Sequence, residues 1–362
     1  MVTALIDVHR QVLHRFYVSV FEAAGVPSAG SSIAASALVF ADTRGVESHG
    51  AANLERIYVP GLLSGRIDSS AKPRLVEDRS AVALLCGDRC LGFVAGHAAM
   101  AEAVQRAERF GIGAAGVFDS THCGSMAFYT QAAVEAGMVG LAFTNLGAQG
   151  ILRPSNGAVP MVGTNVLAAS APTDHRPSFS LDMSTAVVST GRLRTAMRRE
   201  ERIPAGWLVA DDGTPVEDPG AYFDGTAHLQ FLGGSVETGG YKGYGLALLI
   251  DVLCGVLVGG RVGPHRGQEL VGGASEDDGI GHFMVAIDVE AFRRGGEFRR
   301  DLDEMLGALV DCPPAAPGCN VAYPGLGEAE AEACEAVSLS AEMIASLRRV
   351  AERLSLPRPF DA

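Results

Sequence analysis

The chain has 362 residues, 48% of them hydrophobic and 20% charged, enough apolar mass for a soluble core and enough length for about two to three domains. With 42 acidic against 29 basic residues the net charge is −13, the wrong sign for nucleic acid or an anionic membrane as the main partner. The seven cysteines are odd in number and scattered, and Cys86 and Cys90 have no His-rich cluster to join, so no metal site is expected and a reduced, cytoplasmic setting fits.

Met1–Asp7 runs into an amphipathic pattern rather than an apolar core with a cleavage site, so no signal peptide is expected. Residues 5–65 read as helical, with Val8, Val12, Leu13, Phe16 and Val20 at helical spacing. Gly25-Val26-Pro27 stops the first helix, and Ser28 or Ser31 can cap the next. That second helix (Ile33, Ala34, Ala37, Leu38, Phe40) closes in Ala41-Asp42-Thr43-Arg44-Gly45-Val46-Glu47-Ser48-His49-Gly50. An imidazole at such a junction can leave the core and face a cleft, and near neutral pH it gives or takes a proton. A helix cap formed by Ser48, with His49 a bystander, explains the same residues without chemistry.

Arg74–Glu77 and Ala81–Leu85 read as short strands, Gly92–Phe110 as an amphipathic helix, and Ile112–Asp119 as a strand. Ser120-Thr121-His122-Cys123-Gly124 follows, then a helix over Met126–Gly137 and a strand over Val139–Asn145. Gly111-Ile112-Gly113-Ala114-Ala115-Gly116 matches the dinucleotide fingerprint, but it ends a helix and enters a strand. The fingerprint needs the reverse order, so that a pyrophosphate meets a helix N-terminus, and it is rejected here.

Residues 146–190 are rich in Gly, Pro and Ser, with Gly163-Thr164-Asn165 before the apolar run Val166–Ala171. In Leu181-Asp182-Met183-Ser184-Thr185 the acid is either a helix N-cap or a buried carboxylate in need of partners. Ala186–Arg199 reads as a helix, and Ile203–Gly220 as a surface excursion with a hairpin at Ala210-Asp211-Asp212-Gly213. Leu232–Tyr244 is glycine-dense, allowing close approach of backbone to a ligand. Lys242 within it is either solvated or a phosphate or carboxylate contact. Leu246–Val258 is apolar nearly all round and reads as buried, too short and too acidic at Asp251 to span a bilayer. Gly281–Asp288 is a core strand, Phe292–Leu309 a helix, Cys312–Gly327 a loop and Ala341–Leu354 the closing helix.

Several of these pieces, joined by Thr144-Asn145, Gly240-Tyr241-Lys242-Gly243-Tyr244-Gly245-Leu246, Gly281-His282-Phe283 and Tyr323-Pro324-Gly325, lie in one order along nearly the whole chain. In that order they resemble the malate/L-lactate dehydrogenase-like family of NAD(P)-dependent oxidoreductases. The family includes ureidoglycolate dehydrogenase, 2,3-diketogulonate reductase, sulfolactate dehydrogenase and the piperideine and pyrroline carboxylate reductases. The resemblance implies an α/β fold with a largely antiparallel seven-stranded sheet surrounded by helices, a non-Rossmann NAD(P)-binding domain. It implies an N-terminal helical substrate and dimerisation part over 1–72, the cofactor domain over 73–290, and a C-terminal part over 291–362 that packs back on the first. The assembly it implies is a homodimer with the active site near the subunit interface.

The same resemblance implies hydride transfer to and from a 2-keto or 2-hydroxy acid or related carbonyl. His49 is then the acid/base, Ser48 orients it, and His122 is the second candidate for proton transfer. Asp182 fixes a histidine tautomer and, with Met183 and Ser184, lines the nicotinamide. Gly124, Asn145, Thr164, Asn165, Lys242, Gly243, Pro324 and Gly325 join His122 as cofactor contacts, with Lys242 on a phosphate. Ser48, Asn53 and Arg56 fall on the substrate side.

Departures from the family pattern bear on the substrate. Where members often carry Arg for the substrate carboxylate, this chain has Asn53, with Arg56 farther along, and an amide cannot replace a guanidinium as a charge partner. Leu146 replaces a hydroxyl residue after Thr144-Asn145, and in Pro324-Gly325-Leu326-Gly327-Glu328 the acid is displaced. The choice between NADH and NADPH stays open; His175 and Arg176 either meet a 2′-phosphate or form a solvated loop pair. Reduction of a cyclic or N-alkyl imino acid is the alternative reaction, and a dimeric relative without turnover the alternative to an enzyme.

Overall fold

In the computed structural model, which describes residues 5–265 and 279–360, the two ends of the chain are paired to each other. The expectation for residues 1–4, within the stretch read for a signal peptide, lies outside the described residues. Leu5–His9 (β1) runs antiparallel to Ala336–Ser340 (β12). This corrects the helical reading of residues 5–9, whose strand partner lies at the far end of the sequence. Helix α1 (Arg10–Ala23) packs on α2 (Ser28–Thr43) through Leu13, Tyr17, Val20, Ala34 and Leu38. Neither serine caps α2: Pro27 stands at its N-cap, and Ser31 Oγ donates to the Val26 carbonyl at 3.0 Å. A π-helical turn, Leu54–Tyr58, leads directly into α3 (Val59–Leu63).

Strands β2 (Arg74–Arg79) and β3 (Val82–Cys86) precede α4 (Gly92–Phe110) and β4 (Ile112–Ser120); then come α5 (Ala127–Glu135), β5 (Met138–Thr144), β6 (Val166–Ala171) and β7 (Phe179–Ser184). After α6 (Thr190–Arg198) come β8 (Leu208–Val209), β9 (Pro215–Val216), α7 (Gly220–Phe223) and β10 (His228–Leu229), the three strands forming a small sheet of their own. The chain closes with α8 (Gly240–Asp251), β11 (Ile280–Asp288), α9 (Glu297–Val310), α10 (Leu326–Glu332), β12 and α11 (Ala341–Arg353). The main sheet has seven strands in the order β2-β3-β4-β11-β5-β6-β7. Only β3 and β4, joined by the crossover helix α4, are parallel; every other neighbouring pair is antiparallel. One apolar cluster joins the N-terminal helices to Ile344, Leu347 and Val350 of α11, a second fills the space under the sheet, and a third gathers Leu152, Leu193, Leu208, Phe231 and Ala247.

The rejected fingerprint performs packing. Gly111 ends α4 at φ +81°, and a Cβ on Gly113 would lie 2.1 Å from the Ala103 carbonyl oxygen, so these glycines let β4 lie against α4.

Three helix limits differ from the sequence reading. Helix α6 starts at Thr190, because Ala186 is bridged to Phe231 and Ser189 supplies the cap. Helix α9 starts at Glu297, after a 3₁₀ turn (Val289–Ala291) capped by Asp288 and two glycines at positive φ. Helix α8 begins at Gly240, placing Lys242 in its first turn, and continues in π geometry over Val252–Leu257. Nor is this helix buried: Val256 is 73% and Leu257 61% exposed, and Leu249 and Val252 stand with them on the surface. A pattern apolar on all sides does not distinguish burial in the chain's own core from an apolar face left outside it.

Candidate active site

The turn that carries Ser48, His49 and Gly50 is built over a buried carboxylate. Asp42, near the end of α2, accepts the Tyr17 hydroxyl at 2.7 Å and the Ala51 backbone N–H at 3.0 Å. A Cβ on Gly50 would lie 1.7 Å from Asp42 Oδ1, so only glycine lets the turn close on it. Burial raises the Asp42 pKa from 3.8 to about 6, against the lowering effect of its two donors. Sequence reading quoted Asp42 without a role, because its partner Tyr17 is a helix away.

From this turn Ser48 Oγ lies 2.8 Å from His49 Nδ1. The His49 ring stacks on His122 with centroids 5.7 Å apart and planes 17° from parallel. The two motifs thus meet, one carried by the α2–α3 junction and the other by the loop between β4 and α5. Both imidazoles are ringed by protein yet only half-buried, as expected for groups lining a cleft. Burial lowers the pKa of each; for His49 the neighbouring Asp182 carboxylate opposes that lowering, while Arg56 adds to it. For His122, His49, Arg56, His282 and Arg66 all push further down.

Asp182 does not cap its own helix. It lies in β7 and accepts Ser125 Oγ at 2.7 Å and the Ala127 backbone N–H at 2.9 Å, so it caps the start of α5 from a strand that α5 packs against. The residue is solvent-exposed while its carboxylate is surrounded by protein; desolvation raises its pKa, and the donors and His49 pull it back. Asn53, buried, donates from Nδ2 to the Ser48 carbonyl at 2.9 Å and accepts Arg56 Nη2 at 2.7 Å. The amide therefore ties the Ser48-His49 turn to an exposed guanidinium. Arg56 and Tyr58 both lie in the π turn, a geometry that occurs mostly as single-turn bulges and is frequent at functional sites. Glu55 in the same turn is held by Arg349 of α11 at 2.7 and 2.8 Å, bracing this rim from the C-terminus.

The assigned cofactor residues fall into two groups. Asn145 spends its whole amide inside the protein: it donates to Asp251 and to the Arg261 carbonyl and accepts Gly147 and Gly281 N–H groups. Asn165 is equally buried, its Nδ2 donating to the Ala247 carbonyl at 2.8 Å, so it joins β6 to α8 while its Oδ1 has no hydrogen-bond partner among the described residues. Thr164 offers its carbonyl to Thr185, and Ser184 bonds back to Ala186. By contrast, Pro324 and Gly325 lie against β7, where the Pro324 carbonyl accepts the Ser180 N–H at 3.0 Å. Gly124, at φ +74°, fits over Phe93, and Met183 is partly exposed beside Asp182.

Lys242 is exposed in the first turn of α8, behind Gly239 at φ 102°. No side chain caps that terminus, no acid lies in the first turn, and Lys242 makes no ion pair among the described residues. The Gly240 and Lys242 N–H groups are already bonded to the Ser235 and Gly239 carbonyls at 2.7 and 2.9 Å, so what this corner offers a phosphate is the Lys242 ammonium, the positive end of the helix and glycines that permit close approach. Gly243 packs on Leu232, whose N–H donates to the Thr185 carbonyl at the end of β7, linking this corner to the Asp182 strand. His175 and Arg176 are instead tied through their backbone N–H groups to Asp303 of α9.

Sequence reading missed Tyr58, Ser125 and Asp42; Tyr58 hydroxyl lies 2.7 Å from His122 Nδ1. It also left His282 without a role. That histidine is buried between Ser120 and Thr144 at 2.8 and 2.9 Å, and desolvation lowers its pKa to about 4, so it serves as a neutral core connector. Cys86, Asp88 and Asp119 bring possible ligand atoms within 4.8 Å of one another, but the Cys86 thiol donates to Asp88 and burial raises its pKa.

Comparison with known proteins agrees with this architecture. The profile of the family described as malate/L-lactate dehydrogenase matches residues 8–348. Malate dehydrogenase of Pyrococcus abyssi is 36% identical over 304 residues, covering 84% of this chain and 82% of that one. Ureidoglycolate dehydrogenase (NAD(+)) of Escherichia coli O157:H7 is 31% identical over 322 residues, covering 88% and 87%. Among solved structures, malate dehydrogenase from Entamoeba histolytica superposes with a TM-score of 0.91 at 26% identity, over 99% of this chain and 100% of that one.

Proposed function

Since the chain belongs to the malate/L-lactate dehydrogenase family and is a nicotinamide-dependent oxidoreductase, we propose that it interconverts a 2-keto acid, or a related carbonyl, and its 2-hydroxy form, with His49 as acid/base. The observation that carries this reading is the stacking of His49 on His122, with Ser48 on its Nδ1 and Asp182 and Arg56 near enough to act on its charge. The bound nicotinamide would supply or accept the hydride at the carbonyl carbon. His49, with Nδ1 engaged by Ser48, has Nε2 left to give a proton to the carbonyl oxygen, and to take it back in oxidation. The Asp182 carboxylate favours the imidazolium needed before that transfer. Arg56, steered by Asn53, meets the substrate carboxylate in place of an arginine at position 53.

Lys242 and Gly243 are assigned to the cofactor phosphates. Gly124, His122, Asp182, Met183, Ser184, Pro324 and Gly325 are assigned to the nicotinamide side. Asn145, Thr164 and Asn165 hold the strands beneath it. A second reading, C=N reduction of a cyclic or N-alkyl imino acid, draws support from the same Asp182, which can receive an iminium N–H. Parallel assays on keto acids and cyclic imines separate the two. The apolar face of Gly240–Leu257 is assigned to a second copy of the chain in a cytoplasmic homodimer, and the three-part division at residues 72 and 290 is kept as the domain proposal.

The test is fluorescence titration with NADH and NADPH, followed by turnover assays with the cofactor that binds, on the wild type and on His49→Ala. The expected result is retained binding with kcat lower by roughly 10²–10⁴-fold in the variant. Failure of the wild type to bind either cofactor refutes the proposal.

A further inference from the structure

We infer that Tyr58 holds His122 as the neutral tautomer with its proton on Nε2, so that His122 acts only as a hydrogen-bond donor to the substrate oxygen and His49 alone transfers the proton. The inference rests on the cleft assignment above, but its structural half can be tested without turnover.

Two groups converge on His122 Nδ1: the Tyr58 hydroxyl at 2.7 Å and the Gly124 backbone N–H at 3.3 Å. An amide N–H can only donate, so Nδ1 is an acceptor and carries no hydrogen of its own. The Tyr58 hydroxyl must then be a donor as well. The ring hydrogen of a neutral His122 therefore resides on Nε2, which has no partner among the described residues. Protonating Nδ1 would set its hydrogen against the Gly124 N–H and force the Tyr58 hydroxyl to turn from donor to acceptor.

Both donors are fixed in place. Tyr58 is fully buried, its ring 4.7 Å from Phe93 and 6.3 Å from Phe21 between centroids, and it is the last residue of the π turn. Gly124 sits at φ +74°, where a Cβ would lie 2.6 Å from the Phe93 ring, so its N–H is aimed by a backbone that only glycine adopts here.

The surroundings divide the two imidazoles. The titratable groups acting most strongly on His122 are all basic (His49, Arg56, His282 and Arg66), and none of them favours an imidazolium there. His49 also feels Arg56, but it has the Asp182 carboxylate as a favourable neighbour that His122 lacks among its strongest influences, and an acid/base needs such a neighbour when it takes up a proton. Ser125 and the Ala127 N–H hold Asp182 in place from α5. A neutral imidazole that polarises a carbonyl through a fixed N–H is an established electrophilic arrangement, and such a donor stabilises the developing oxyanion. In this division Tyr58 is a positioning residue acting through His122.

The experiment is ¹⁵N NMR of the histidine side chains of the whole protein without substrate, between pH 5.5 and 8.5. His122 should appear throughout as neutral and Nε2-protonated. An Nδ1-protonated ring, or an imidazolium within that range, overturns the inference. In Tyr58→Phe the signal should shift toward mixed tautomers, with kcat down roughly tenfold. An unchanged tautomer in a folded variant removes Tyr58 from the role. In turnover assays His122→Gln, whose amide N–H replaces the Nε2 donor, should stay within about tenfold of wild type, while His122→Ala loses roughly 10²–10³ in kcat. Equal losses in the two variants overturn the donor role. A correct tautomer in a protein that turns over neither carbonyl nor imine would leave the lock standing and refute the proposed function instead.

Discussion

Replacing Asp42 by Asn removes a titration from beneath the Ser48–Gly50 turn while keeping its shape. The amide oxygen can still accept the Ala51 N–H, and the amide nitrogen can donate to Tyr17, whose hydroxyl accepts equally well. In the folded wild type the carboxyl pKa is raised from 3.8 to about 6, mainly by desolvation, with Glu47 adding to it. A pKa raised on folding means that the native state holds the proton more tightly. The associated stability is present below the unfolded value and is lost as pH rises through the folded one. A shift of this size corresponds to roughly 3 kcal/mol, of which about 2 kcal/mol falls between pH 4.5 and 7.5. Urea denaturation of wild type and Asp42→Asn at those two pH values measures it. The variant should gain roughly 2 kcal/mol on the wild type at the higher pH relative to the lower. Asp182 and Asp251, also raised by burial, titrate in both proteins and cancel in the comparison. An Asn variant destabilised equally at both pH values refutes the reasoning.

Further outcomes follow from the same geometry. Arg56→Ala should raise KM for a 2-keto acid by roughly 10–100-fold with a smaller effect on kcat, and Arg56→Lys should recover part; steady-state kinetics with unchanged KM would contradict the carboxylate assignment. Lys242→Ala should weaken NAD(P)H binding about tenfold at low salt, with the difference shrinking as salt rises. A salt-independent loss would point to packing rather than charge. Val256→Asp, at a 73% exposed position, should convert a dimer to a monomer in light scattering without loss of helix content; a wild-type monomer would remove the interface assignment.

Much of the architecture is written locally. The helix over Gly92–Phe110, the strands that became β3, β4, β5 and β11, and the mismatch of the Gly111–Gly116 fingerprint all follow from periodicity and from the order of neighbouring elements. The two histidine motifs could be singled out too, because His49 and His122 lie where regular elements end and side chains turn outward. Tertiary structure decided what those residues touch. The strand at Leu5–His9 exists only because Ala336–Ser340 supplies its hydrogen bonds, and no local pattern announces a partner at the other end of the chain. Asp182 offered two readings by sequence, cap or buried carboxylate. It combines elements of both, since it caps α5 from a strand that follows it in the chain. The resemblance places Asn145 among the cofactor contacts, whereas only the tertiary structure shows its side-chain amide engaged by the packing of β11 and the end of α8. Likewise, nothing around Tyr58 predicts that its hydroxyl meets His122, and nothing in the apolar run after Lys242 predicts an exposed face. The physical reason is the same throughout. Helical and strand periods are set by residues a few positions apart, whereas the protonation state and reach of a site depend on groups brought together from distant parts of the chain.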